Sequence, residues 1–204
     1  MESLETIAWL PVTVIAATSL FVLREIFEFF KKRGERRRKL IAAKSLLKIE
    51  IERNYYTKNR ILEIVKDINE NFDGLEGPCE FSLVSRPSDT SYYERKDLGA
   101  DIHLQAGMPL PRLFVEEFER WLPAIAELDK KLFESTMAMY EAISELEHLR
   151  SGLFDYISDF EEGDHHMLRG FVDYAVNQFA DIDKSFKDYY TEIADTEEIP
   201  SRMR

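Results

Sequence analysis

Four histidines and 39 acidic residues in 204 positions are the raw material this chain has for metal or acid–base chemistry. Two of the histidines follow a glutamate by three residues, Glu145 with His148 and Glu162 with His165. On a helix that spacing stacks both side chains on one face. Two such pairs, with one glutamate from each of two further helices, are how a bundle holds two iron ions. The run EEGDHH, from Glu161 to His166, offers another donor set for a divalent ion in Asp164, His165 and His166. Both patterns are weak. A chain this rich in acids places them three residues before histidines by chance, and the second pair straddles Gly163. The simpler reading of EEGDHH is punctuation, Gly163 ending one helix and Asp164 capping the next. His148, beside Leu149, reads as a surface or core-edge side chain. No metal and no cofactor are assigned.

Nucleophilic chemistry has less to start from. Cys79, next to Pro78, is the only cysteine and has no histidine within twenty residues. A glycine-rich phosphate loop, a GxSxG elbow, an HExxH pair and a CxxC pair are all missing from the sequence. A non-enzymatic chain with no catalytic residue is therefore the expectation. A lone cysteine also excludes an intramolecular disulfide, and with it a disulfide-stapled secreted domain.

The elements that would position such groups begin with Ile7–Leu23, IAWLPVTVIAATSLFVL, seventeen residues without a charge between Glu5 and Arg24. With Leu4–Thr6 the stretch reaches twenty residues, which at about 1.5 Å each matches a hydrocarbon core of about 30 Å. It reads as a membrane-spanning helix. Trp9 fits an aromatic anchor at one end, and Pro11 falls in the first turns, where a missing N–H costs little. A cleaved signal peptide would carry a basic start, but the residues before the run are Glu2 and Glu5, with no Lys or Arg. A buried core helix is the other competitor, and the dense basic charge that follows at once argues against it.

Between Arg24 and Lys44 lie nine basic residues against three acids, a net of +6. Lys31, Lys32, Arg33, Arg36, Arg37, Arg38 and Lys39 form its centre. Because Lys and Arg remain on the cytoplasmic side, the N-terminus is expected outside and everything after Leu23 in the cytoplasm, with a prokaryotic inner membrane as the expected location. The same residues would attract anionic lipid headgroups. Before them, EIFEFF interleaves Ile26, Phe27, Phe29 and Phe30 with Glu25 and Glu28, a composition suited to the headgroup boundary, and the helix should continue through it.

Residues 45–204 carry 18 basic and 34 acidic side chains, a net of −16, so the chain's overall −12 hides a basic collar and an acidic body. That sign excludes a duplex-binding role for the body, and no nucleic acid is expected as a partner. Solvated helix surface is the plain explanation of the acid, ahead of a docking face for a basic protein.

Helical periodicity organises the body. Leu168, Val172, Ala175, Phe179, Ile182, Phe186, Tyr189 and Ile193 recur at steps of four and three, an unbroken heptad stripe. Ile125, Leu128, Leu132, Met139, Ala142, Leu146, Leu149, Leu153, Tyr156 and Phe160 form another, with Ser135 filling one step and Pro123 in the first turn. PRLFVEEFERWL reads as a short helix opening near Pro111 and closing before Pro123. A further helix from about Arg36 to Phe72 lines up Leu40, Leu47, Ile51, Ile61, Val65, Ile68 and Phe72, interrupted by Asn54 and Lys58. These two either specify an assembly from within a seam or, as the more ordinary reading, stay in solvent while Tyr55 and Leu62 fill the core. Gly34, the only glycine before Phe72, marks the expected hinge between anchor and bundle.

Residues 73–111 differ in kind, holding Gly74, Gly77, Gly99 and Gly107 with Pro78, Pro87, Pro109 and Pro111. So long a connection is uncommon inside a compact domain and is either functional or a tolerated insertion. Phe81 and Leu83, then Ile102 and Leu104, alternate with polar residues, as in a small hairpin folded over the bundle. A recognition surface is expected here first, around Arg86, Tyr92, Tyr93, Arg95 and His103.

The expected fold is all-α: a single N-terminal transmembrane helix and interfacial segment (1–30), a basic juxtamembrane segment (31–44), and a cytosolic antiparallel helical bundle (45–204) with a long irregular loop (73–111). The expected role is to scaffold or bind a protein partner, or a second copy, at the cytosolic face of the membrane. The alternative is an oligomerising membrane effector whose bundles gather the spans, although Ala8, Val12, Thr13 and Ala17 give the span only a weak small-residue face. A metal-dependent enzyme ranks third.

Overall fold

The computed structural model describes residues 12–72, 79–85, 91–97, 103–161, 165–196 and 198–200. The protein is mostly helical, with α1 (Val12–Asn71), α2 (Glu116–Leu128), α3 (Lys130–Glu161) and α4 (His165–Ala194), and one small sheet of β1 (Cys79–Ser85), β2 (Ser91–Asp97) and β3 (His103–Leu110). The chain divides into two compact units, Met1–Ala42 and Ala43–Arg204.

In the first unit the described residues are helical from Val12 onward. Gly34, expected as a hinge, is an ordinary position within α1, with open space where a Cβ would stand. Among the described residues no helix is long and apolar enough to cross a membrane. Ile7–Pro11, the start of the expected span, and Trp9 with them lie outside the described residues, and from Val12 only twelve uncharged residues precede Arg24.

In the second unit α1, α3 and α4 form the expected antiparallel bundle. Contacts pair Lys44 with Glu192, Glu52 with Tyr190 and Lys58 with Asp183, so α1 ascends as α4 descends. From Thr136 with Tyr189 to Gly152 beside Phe171, α3 and α4 are related in the same way. The stripe read on α4 is the buried one, from Leu168 to Ile193. On α3 Leu132, Met139, Leu146, Leu149 and Leu153 are buried as expected, and at three steps the buried residue is the next one along. Thr136, Ile143 and Ile157 are inside, while Ser135, Ala142 and Tyr156 are half-buried.

Two expectations need correction. The helix break falls at Asp129, six residues past Pro123. Asp129 is extended (φ −152°, ψ 100°), and its carboxylate accepts the Leu132 N–H at 3.1 Å, so it caps α3 while α2 runs through Pro123. The start of α2 is also late: residues 111–115 are not helical, because α1 holds their backbone, as described below.

The second correction is to the long irregular loop, which contains an antiparallel meander in the order β1-β2-β3. Cys79 pairs with Asp97, Phe81 with Arg95 and Leu83 with Tyr93; Tyr93 in turn faces Met108, and the β2–β3 register shifts between Arg95 and Lys96. Cys79, Phe81, Tyr93 and Leu110 are buried, and the Phe81 and Tyr93 rings stack at 6.3 Å. A sheet with one apolar face needs a neighbour to cover it, and β1 lies against α3.

Candidate functional site

The heptad steps of α1 from Leu47 to Phe72 pass through Asn54 and Lys58, and the structure keeps them on that face. Asn54 is fully buried and Lys58 is 2% exposed, with Glu50 and Thr57 equally enclosed. The expectation that Asn54 and Lys58 face solvent is therefore wrong. The reason is that each finds a partner that replaces water, which is what allows a polar group into a core.

Three of the four hold the approach to α2. Asn54 Nδ2 donates to Phe114 O at 2.6 Å, and Asn54 Oδ1 accepts from Phe114 N at 2.8 Å. Thr57 Oγ1 donates to Arg112 O at 3.3 Å. The Glu50 carboxylate accepts from Glu117 N at 3.0 Å and Phe118 N at 2.9 Å. Val115, the residue flanking α2, gives no side-chain cap, so Glu50 caps α2 from another helix. From the far side Arg150 Nε donates to Pro111 O at 3.0 Å. Burial raises the Glu50 pKa, opposed by the Glu117 and Phe118 N–H groups and reinforced by the Glu116 and Glu117 charges.

Lys58 serves the other seam. Its ammonium pairs with Asp183 on α4 and lies 4.1 Å from the centroid of the Tyr55 ring, while Lys187 reaches the other Asp183 oxygen at 2.6 Å. Burial lowers the Lys58 pKa, against the pull of Asp183. Burial raises the Asp183 pKa, but bonds to Lys187 and Lys58 outweigh it, and the net shift is downward.

The residues expected to form a recognition surface separate. Tyr93 is fully buried, its hydroxyl donating to Asp67 Oδ2 at 2.6 Å, and Arg95 pairs with the other oxygen of Asp67. Both fasten β2 to α1. Tyr92, the neighbour that alternates with Tyr93 along β2, is half-buried. His103 stands on β3 opposite Asp97. Arg86 lies outside the described residues.

The metal candidates do not assemble. Glu145 accepts a hydrogen bond from Tyr174 at 2.5 Å, and the His148 ring meets Tyr174 edge-on at 6.3 Å. His165 opens α4 and His166 is exposed, whereas Glu162 and Asp164 lie outside the described residues. Among the described residues no group of three or more His, Cys, Asp or Glu side chains is placed to hold a metal ion.

In the first unit Leu20, Phe21, Leu23, Phe27, Phe29 and Phe30 are each more than 60% exposed, and Val14, Ile15, Val22 and Ile26 are exposed as well. Thr18 and Ser19 are satisfied within the helix, Thr18 Oγ1 donating to Val14 O and Ser19 Oγ to Ile15 O, each at 2.8 Å. Lys31, Lys32, Arg33, Arg36, Arg37, Arg38 and Lys39 follow, all exposed.

The polar partners Glu50, Asp67 and Asp183 were not legible from sequence. The signal available was narrower: polar residues standing in a heptad stripe. Compared with protein-family models, with curated proteins and with solved structures, the chain matches none.

Proposed function

We propose that this is a non-enzymatic, single-pass membrane-anchored protein whose acidic helical body scaffolds or binds a protein partner at the cytosolic face. The observation that carries the reading is the uncharged run Ile7–Leu23 followed directly by the +6 segment Arg24–Lys44. The described part of that run supports it. A helix with large apolar side chains exposed on every side requires cover, and lipid supplies cover all round. Thr18 and Ser19 bond back to their own helix, which meets both of these hydroxyls within hydrocarbon.

The orientation is tested with single cysteines at Ser3 and Ser158 and a membrane-impermeant maleimide, native Cys79 being buried. Labelling of S3C in intact cells, and of S158C only after lysis, is the expected result. Release of the protein by alkaline carbonate, or labelling of S158C from outside, overturns the reading. The mass of the full chain in mild detergent decides between a scaffold acting as a monomer and the oligomerising effector, which requires a defined multimer.

A further inference from the structure

We infer that Phe29, Lys32, Arg33 and Arg36 form a binding site for the phosphate of an anionic membrane lipid. This rests on the membrane-anchor reading and adds a ligand and a location to it. The four residues are spaced i, i+3, i+4 and i+7, which places them on one side of α1, and they line a common surface groove. Among the described residues no carboxylate forms an ion pair with Lys32, Arg33 or Arg36. The nearest acid on the N-terminal side, Glu28, is already engaged by Arg24 at 3.3 Å.

The chemistry of the set favours a phosphodiester with an apolar tail. Two guanidiniums offer forked donors that match phosphate oxygens, and the ammonium adds a mobile point charge. Phe29, 61% exposed, supplies an apolar wall one turn before the cations. It continues into exposed Phe27, Phe30 and Ile26. A free phosphate would leave that wall uncovered, whereas a lipid places its acyl end against Phe29 and its charge at the three cations. The +6 of the surrounding segment is complementary to an anionic leaflet and would concentrate the ligand there.

The test uses the full chain in vesicles of phosphatidylcholine and phosphatidylglycerol in equal parts, then dissolved in neutral detergent, with the headgroups that stay with the protein measured. Retention of phosphatidylglycerol over phosphatidylcholine is expected. It should fall by roughly a thousandfold in affinity in K32Q/R33Q/R36Q, from about tenfold per charge-assisted bond to the phosphate. K31Q/R37Q/R38Q removes the same charge beside the groove and should retain the lipid; Phe29→Ser should weaken retention with all charges in place. No phosphatidylglycerol preference, equal loss in both triple variants, or displacement by inorganic phosphate or an RNA oligonucleotide would each overturn the site. Carbonate extraction of the same vesicles keeps the two readings apart. Protein that resists carbonate but shows no preference loses the lipid site alone, and protein that washes off loses the anchor.

Discussion

Asn54 and Phe114 exchange two hydrogen bonds across a separation of 60 residues, the side chain of one serving the backbone N–H and C=O of the other at 2.8 and 2.6 Å. The carboxamide thus occupies the place a neighbouring strand would take. Together with Glu50 and Thr57 it explains why PRLFV is not helical and why α2 begins at Glu116.

Replacing Asn54 by Ala leaves a buried donor and a buried acceptor unmet. The expected loss is about 2–4 kcal/mol, measured by urea unfolding of the full chain in mild detergent. An effect below about 0.5 kcal/mol, the range of an ordinary surface change, would show that the clamp does not hold the segment.

Glu50 separates charge from capping. Its carboxyl has a raised pKa in the fold, so the stability linked to its titration is present below the unfolded value, 4.5, and fades as pH rises through the folded one. The groups facing it are Glu116 and Glu117 on α2, Arg53 on α1, Arg112 before α2, and Tyr189 on α4. Wild type should therefore gain stability relative to Glu50→Gln as pH falls towards 4.5. A relative loss would mean that the two N–H bonds outweigh burial. Glu50→Ala, which leaves both N–H groups open, should be the less stable of the two variants at every pH.

Glycines on α3 and α4 should respond in opposite directions to alanine. A Cβ on Gly152 falls 2.5 Å from the Phe171 ring, which is buried and packed on Tyr156 at 4.9 Å, so the ring must move. Crowding of this kind costs about 1–3 kcal/mol, against roughly 1 kcal/mol of helix propensity gained. Gly170 has nothing within 4 Å, and Gly170→Ala should gain the propensity alone. Thermal unfolding of the two variants, with Gly152→Ala below wild type and Gly170→Ala above it, is the expected pattern.

The Lys58–Asp183 pair should be worth more intact than either half. Asp183→Ala strands a nearly enclosed ammonium, at an expected cost of about 3 kcal/mol, whereas Lys58→Met removes the charge and keeps the volume and should cost under about 1.5 kcal/mol. Unfolding midpoints in that order support a pairing role; the reverse order would assign Asp183 chiefly to Lys187.

What could be read from sequence was whatever repeats at the helical period. The α4 stripe, the antiparallel order and the continuation of the helix through EIFEFF needed only apolar spacing. Failures cluster where one element fixes another. Pro123 carried a plausible stop signal, but Asp129 had the capping geometry; Asn54 and Lys58 resembled surface interruptions until Phe114 and Asp183 stood opposite them. The alternation of Phe81 and Leu83 hinted at strands, but nothing local indicated that Tyr93 and Arg95 would meet on Asp67. Lists of aromatic and basic residues in a loop do not distinguish those that face a partner from those that fasten the loop down.

The clamp on residues 112–118 has a consequence for how this chain can vary. Glu50, Asn54 and Thr57 grip main-chain atoms of Arg112, Phe114, Glu117 and Phe118, and no hydrogen bond of the set depends on which side chain those positions carry. Substitutions along this stretch other than to proline, which would remove an N–H, should leave the grip intact. Inserting or deleting a single residue between Arg112 and Glu117 would break the spacing of those atoms against Glu50, Asn54 and Thr57, so the fold should constrain the length of this segment more tightly than its spelling.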